Sequence, residues 1–341
     1  MIPALFTAMT RSALALGCLV LTAPAFAGDA DGREWLQRMS QAIATRNYEG
    51  RFFHMSRVRS ETMQIIHRVA DGKVTERLLS LDGSGREIIR DDTQVICYLP
   101  DRRTVLVERR PGNKTLLAGL PTYSEDLARL YSIEMGRTTK VLGRSTQLID
   151  VRPRDQFRYG YRLWLDSDSA MPLKTQLCDH DGNVIEQLVF AEFAVLDAIP
   201  AQSVKPSVAA EGFRWIRQDA APAAPPSPAL IHWRVLRLPS GFKLTVQQVQ
   251  VLAGSVNPVQ HLVFSDGLAS VSVFIEPRPA DEQMVGLSRM GSAFAFSRSL
   301  KGHQVTAVGE VPAATVEAIA ESVLAEGADS NAVAGTPATR H

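Results

Sequence analysis

Cysteine is scarce in this chain of 341 residues: Cys18, Cys97 and Cys178 are all it has. Cys18 lies in an apolar leader, which leaves two. In an oxidising compartment Cys97 and Cys178 could pair, and closing so long a loop would contribute about 4 kcal/mol on the chain-entropy model. They could equally pack as small buried thiols. The sequence leaves both readings open, because it cannot show whether the two Cβ atoms meet. An excess of charge is lacking too. Lys and Arg number 37 against 36 Asp and Glu, so there is no electrostatic case for nucleic-acid binding. Catalytic signatures are missing: no Gly-x-Ser-x-Gly elbow, phosphate-binding loop, Gly-x-Gly-x-x-Gly or His-Glu-x-x-His occurs. His54, His67, His180, His232, His261 and His303 show no metal-ligand spacing. His180, between Asp179 and Asp181, belongs to a turn. There is no internal repeat. These absences point to a chain that binds, with no metal and no cofactor implied.

The one sustained apolar run is at the start. Arg11 precedes Ala13–Leu21, and Ala25-Phe26-Ala27 is a small-x-small cleavage site. The run is too short for a stable membrane anchor, so residues 1–27 read as a signal peptide cleaved after Ala27. Export to the periplasm follows. Lipidation at Cys18 is the other reading, but Ala15-Leu16-Gly17 is a poor lipobox inside the apolar run.

Beyond the leader, Trp35, Leu36, Met39 and Ile43 recur at helical spacing and predict a helix over Asp31–Arg46. The pattern then turns to strands. Gln64–Arg90 holds three short runs punctuated by Asp71-Gly72 and Asp82-Gly83-Ser84-Gly85, which predicts a β-meander. Its inner face is expected to carry Ile65, Leu79, Leu81 and Ile89. Further strands are predicted at 93–99, 104–109, 139–142, 147–152, 159–166, 173–178 and 184–193, with a short helix after Ser124. One helix followed by many consecutive antiparallel strands gives an α+β fold, an open antiparallel half-barrel around a helix. The Pro- and Ala-rich stretch Asp219–Pro228 reads as a semi-rigid linker. A smaller antiparallel-sheet-and-helix domain follows, with Asp266-Gly267 as a hairpin turn and a helix opened by Pro312. The expected divisions are 28–213, a linker at 214–230, 231–325, and a disordered tail at 326–341.

Two clusters could bind a ligand. The inward aliphatics Phe52, Ile65, Leu79, Ile89, Leu106 and Leu163 would either form core or line an apolar cavity suited to acyl chains. Arg154, Arg158 and Arg162, interleaved with aromatics, could meet phosphate headgroups or pair with nearby acids on the surface. An acid-base role for Arg154 and Asp155 finds no third group.

Several stretches together resemble the periplasmic sigma-E regulatory proteins of the RseB/MucB family. They include Tyr48-Glu49-Gly50 with Phe52, then His67-Arg68-Val69, Glu76–Gly83 and Arg86-Glu87. Pro153-Arg154-Asp155 with Arg158-Tyr159-Gly160-Tyr161, Leu165-Asp166 and Pro172-Leu173-Lys174 follow. The second half adds Leu238-Pro239-Ser240-Gly241-Phe242, Ser265-Asp266-Gly267-Leu268 and Val308-Gly309-Glu310-Val311-Pro312. The resemblance implies a large lipid-sensing domain like the lipoprotein carriers LolA and LolB, and a smaller partner-binding domain. It implies no enzyme. The partner would be the periplasmic domain of a membrane anti-sigma factor of the RseA/MucA type, shielded from the site-1 protease. Lipopolysaccharide or mislocalised lipoprotein would release it. A homodimer stays open. The rival reading is a lipid or lipoprotein carrier without a regulatory partner.

Overall fold

The computed structural model describes residues 28–109, 115–219, 232–250, 257–279, 281 and 283–326. The signal peptide with its cleavage site at Ala27, residues 220–230 of the expected linker and the tail from residue 327 lie outside the described residues.

The first domain opens with helix α1 (Gly28–Thr45), whose predicted start at Asp31 falls three residues late. Strands β1 (Asn47–Ser56), β2 (Ser60–Ala70), β3 (Lys73–Ser80), β4 (Glu87–Arg90), β5 (Gln94–Leu99) and β6 (Thr104–Arg109) form one continuous meander. The short helix α2 (Glu125–Leu130) is capped by Ser124, whose Oγ accepts the Leu127 N–H at 3.0 Å. After it come β7 (Tyr131–Val141), β8 (Arg144–Pro153), β9 (Gly160–Asp166), β10 (Pro172–Cys178), β11 (Val184–Leu196) and β12 (Arg214–Asp219). Among the described residues these twelve strands make one sheet, ordered β12-β6-β5-β4-β3-β2-β1-β11-β10-β9-β8-β7. Its curvature gives a concave face, and α1 lies in it. Leu36, Met39, Ala42 and Ile43 form the helix's buried stripe and meet Tyr48, Phe52, Ile65, Ile149, Val151, Leu163 and Leu165 from the sheet. Each such aliphatic contributes about 1.5–3 kcal/mol by leaving water. Helix and half-barrel are therefore one packing unit.

Strand β12 corrects the expected boundary. Residues 214–219 are not linker. They pair with β6 in parallel, Trp215 opposite Val105 and Arg217 opposite Val107. The chain reaches that edge by crossing the convex face after β11. Buried Glu87 holds the crossing through the backbone N–H groups of Ser207 (2.9 Å) and Val208 (3.3 Å), and through Arg77. Arg68 Nε donates to the Ile199 carbonyl at 2.9 Å.

The second domain has β13 (His232–Val235), β14 (Lys243–Gln250), β15 (Val259–Ser265), β16 (Ser270–Pro277), β17 (Gly286–Met290), β18 (Ala293–Leu300), β19 (His303–Gly309), helix α3 (Ala313–Glu321) and β20 (Val323–Glu326). Six strands form a sheet ordered β14-β15-β16-β19-β18-β17, and β13 pairs with β20. Val323 and Leu324 lie past the end of α3, in β20. Helix α3 buries Val316, Ile319 and Ala320 against Val271, Val273, Ile275, Val305 and Ala307.

Candidate functional site: the joint between the two domains

The expected headgroup cluster does not exist. Arg154 is exposed, and its backbone N–H is held by the Leu130 carbonyl. Arg162 is half-buried on β9 and lies 3.8 Å from Asp150. Arg158 is 0% exposed, so it presents nothing to a phosphate. The three were grouped by sequence spacing, but a β-strand entry sends them to different surroundings.

Arg158 instead occupies the joint between the domains. Its Nε donates to Asp155 at 3.1 Å, and its Nη2 donates to the Ser240 carbonyl of the second domain at 2.6 Å. Its Nη1 stands 3.2 Å from the Asp266 carboxylate, a close ion pair without hydrogen-bond alignment. The guanidinium also lies over Tyr131 from one domain (5.8 Å) and Phe242 from the other (5.4 Å). Asp266 does two jobs: Oδ1 closes the hairpin turn by accepting the Leu268 and Ala269 N–H groups at 2.9 and 2.7 Å, while Oδ2 faces Arg158. A buried charge without its partner costs several kcal/mol. The joint is therefore specified by charge as well as by shape.

Several neighbouring contacts involve the stretches that carry the family resemblance, among them Tyr159, Gly241 and Leu268. Tyr159 donates its hydroxyl to the Ser292 carbonyl at 3.0 Å, and Thr315 donates to the Phe157 carbonyl at 2.7 Å. Leu268, at the hairpin tip, packs on the core of the first domain. Gly241 has φ +82°, and a Cβ there would stand 2.5 Å from Leu130 Cδ1. Only glycine allows both that backbone and that approach. Beside them, Tyr131, Tyr159, Tyr161, Leu268, Ala269, Ser270 and Glu310 surround a cavity of about 220 Å³. Burial pushes the Tyr159 hydroxyl up to about 12 and raises Tyr131 and Tyr161 further. All three are neutral donors at any physiological pH. A larger cleft of about 600 Å³ opens between α2, Ser240–Lys243 and Ser265–Leu268.

One flank of the joint is titratable. His54 Nε2 lies 3.2 Å from Glu186 in the first domain, and Ser292 Oγ donates to Glu310 in the second. The hydrogen bond to Glu186 raises the His54 pKa, and the same bond lowers that of Glu186. Burial raises the pKa of Glu310, and repulsion from Glu186 adds to it. Glu310 keeps a solvent-exposed flank, where water weakens that effect.

The concave face needs a second correction. Phe52, Ile65 and Leu163 are core beneath α1. Leu106 is exposed at the far end of that face. Leu79 and Ile89 are on the opposite, convex side, because Leu78 pairs with Ile65 and Ile88 while Leu79 pairs with Gln64 and Glu87. The run Arg77-Leu78-Leu79 offers an aliphatic to either face, and a one-residue slip reverses the assignment. Leu81, also expected inside, is exposed. The concavity that remains, about 350 Å³, is lined by none of the six expected residues. Its walls include Met39, Ile43, Val74, Leu117 and Leu120, and His67 forms part of its lining. Tyr48 stacks on His67 at 4.4 Å, next to buried Glu76, which accepts the Leu116 N–H at 3.0 Å and pairs with Arg90 at 3.3 Å.

Cys97 and Cys178 are free thiols. They sit on β5 and β10, six positions apart in the sheet order, so of the two readings the sequence left open the free thiols hold and the disulfide does not form. Burial raises both thiol pKa values, which keeps them protonated and unreactive.

The MucB/RseB N-terminal domain matches residues 31–208, and the MucB/RseB C-terminal domain matches 227–324. The sigma factor AlgU regulatory protein MucB of Pseudomonas aeruginosa is 34% identical over 328 residues, covering 94% of this chain and 98% of that one. The sigma-E factor regulatory protein RseB of Escherichia coli K12 is 27% identical over 322 residues, covering 91% and 95%. Among solved structures, MucB in complex with MucA(peri) superposes with a TM-score of 0.69 at 30% identity, covering 87% of this chain and all of that one. A structure of MucB superposes at 0.59 with 29% identity, covering 86% and 98%. Both domains match in order and over nearly the whole length, and the chain belongs to the MucB/RseB family.

Proposed function

We propose that this chain is a periplasmic negative regulator of an envelope-stress sigma factor. It binds the periplasmic domain of a membrane anti-sigma factor of the RseA/MucA type and shields it from site-1 proteolysis. Lipopolysaccharide or the acyl chains of mislocalised lipoprotein release it. The observation that carries this reading is the complex of a relative, 30% identical, with MucA(peri).

The geometry supports a mechanism. The two domains meet through a compact polar joint, centred on one buried arginine, so one relative arrangement is strongly specified. The partner binds that arrangement. An acyl chain entering the remaining concavity under α1 pushes on the 115–122 segment, which also lines the inter-domain cleft through Gly119, Leu120 and Thr122. The two ligands are then coupled through a shared wall, and each weakens the other by the same factor. The better superposition on the MucA-containing structure than on the other MucB structure, 0.69 against 0.59, favours a partner-competent arrangement here.

The test is equilibrium binding of the mature chain to the periplasmic domain of its own anti-sigma factor, titrated with lipopolysaccharide. Tight binding that lipid reverses is expected. Firm lipid binding with no affinity for that domain would mark a carrier instead. Partner affinity that lipid leaves unchanged would remove the release mechanism.

A further inference from the structure

The cavity at the joint has hydrogen-bonding capacity that the protein does not use. Tyr131 on β7, Tyr159 just before β9 and Tyr161 on β9 form its wall from the first domain. The 268–270 hairpin and Glu310 form its wall from the second. Its volume is about 220 Å³, and at roughly 30 Å³ for each water in the liquid it has room for about seven. Tyr159 commits its hydroxyl to the Ser292 carbonyl. Tyr131 is 1% exposed, and neither its hydroxyl nor that of Tyr161 has a hydrogen-bond partner among the described residues. A buried hydroxyl left unpaired costs free energy. Two such tyrosines on one cavity mark a place for a polar guest.

The charges around the cavity give the sign of that guest. Burial raises the Tyr161 pKa first, and the charges that add to it are all acidic: Glu310, Asp266 and Glu186. The cations nearby are committed. Arg158 pairs with Asp155 and Asp266, and His54 pairs with Glu186. Arg289 donates to the Gly291 carbonyl and lies over the Phe294 ring. Glu310 has no ion-pair partner among the described residues and accepts the Ser292 hydroxyl. It is also repelled by Glu186, and a positive guest would offset that repulsion. The form of the cation follows from Tyr131. Arg158 already lies over its ring at 5.8 Å, so Tyr131 offers its hydroxyl and not that face. A phenol oxygen accepts as well as donates, which favours an ammonium group with N–H donors over a quaternary one.

We propose that this cavity binds a small primary ammonium ion, with about seven non-hydrogen atoms at most, whose N–H groups donate to the hydroxyl oxygens of Tyr131 and Tyr161 and to the Glu310 carboxylate. The ion touches both domains at once, so its binding favours the joined arrangement over the separated one. Such a site does not depend on which macromolecule the chain binds.

The test is titration calorimetry of the full mature chain with ethanolamine, and with choline, acetate and glycerol for comparison. Ethanolamine binds saturably at one site and raises the unfolding temperature as its concentration rises. Choline, without N–H donors, binds about tenfold or more weakly, and acetate and glycerol do not bind. That order of ligands needs no variant. E310Q and Y161F then each weaken ethanolamine by about tenfold or more. Both should fold as the wild type does, since E310Q keeps an acceptor for Ser292 and Y161F keeps the ring. Absence of saturable ethanolamine binding would show that the cavity holds water only and overturns the site. Acetate binding as well as ethanolamine, or wild-type affinity in both variants, overturns it too. None of these results bears on the regulator reading, which is decided by binding of the anti-sigma periplasmic domain.

Discussion

The concave face of the first domain and the joint between the domains are both buried, yet they are built differently. Under α1 the contacts are aliphatic and aromatic: Leu36, Met39 and Ile43 against Phe52, Ile65 and Leu163. At the joint they are directional: Arg158 between Asp155, Asp266 and the Ser240 carbonyl, with Tyr159 and Thr315 donating across. An apolar core tolerates small rearrangements at graded cost. A buried ion pair does not, because separation leaves charges unpaired or hydrates them. The core therefore holds one domain together, and the joint selects between arrangements of two.

Four measurements would break or sharpen this contrast. Replacing Arg158 with Ala strands Asp266 in a buried site and is expected to cost about 3–5 kcal/mol at the joint. Calorimetry should then resolve two unfolding transitions where the wild type shows one, and adding D266N should restore part of the loss. Equal unfolding profiles for wild type and R158A would show that the charge does not hold the domains. Leu36→Ala should cost about 2–5 kcal/mol in the first domain, read by urea unfolding, with partner affinity unchanged under native conditions. Ser124→Ala removes the α2 cap and should cost about 1 kcal/mol. Because α2 lines the inter-domain cleft, the loss should appear as faster exchange of the Leu127 amide.

The smallest effect is that of pH. The raised pKa of Glu310 means its contribution is complete below the ordinary value of 4.5 and is lost as pH rises through the raised value. His54, also raised, acts in the same sense: its contribution is complete below 6.5 and is lost as pH rises through its own higher value. Glu186, lowered, loses its contribution only as pH falls through its depressed value. The joint should thus loosen modestly as pH rises above the ordinary glutamate and histidine values and through the raised pKa values of Glu310 and His54. Domain proximity measured by a pair of fluorophores should show this, and E310Q should flatten part of the profile. A profile in E310Q as steep as in the wild type would assign the effect to His54.

The local signals in the sequence were read correctly where chemistry and geometry are both local. Asp71-Gly72 forms the β2–β3 hairpin turn, with φ of 51° and 71°, and Ser124 caps α2. Asp266-Gly267 was found as a turn for the same reason. The buried role of Asp266 was hidden, because turn chemistry alone already explains an aspartate there. Leu79 lies on the convex face although the sequence points it inward, because neighbouring leucines leave the pleat ambiguous. Strand β12 pairs in parallel with a strand about a hundred residues earlier, and no turn announces such a partner. Strand β17 escaped notice because its five residues include no β-branched or aromatic side chain. The one usable hint of the joint is that the family-like stretches carry Asp, Arg, Tyr and Gly in the first half and Gly, Asp and Glu in the second, residues that make close approaches and directional bonds.

The last strand of the first domain has a mechanical consequence. The chain leaves this domain from β12, whose six residues run parallel to β6 at the free margin of the twelve-stranded sheet. Tension applied to the chain beyond Asp219 therefore acts along the strand axis, in shear, and loads the β12–β6 hydrogen bonds together. Peeling would break them one at a time. Motion of the second domain can then be transmitted into the half-barrel without unravelling it, so β12 is both the domain's closing seam and its tether.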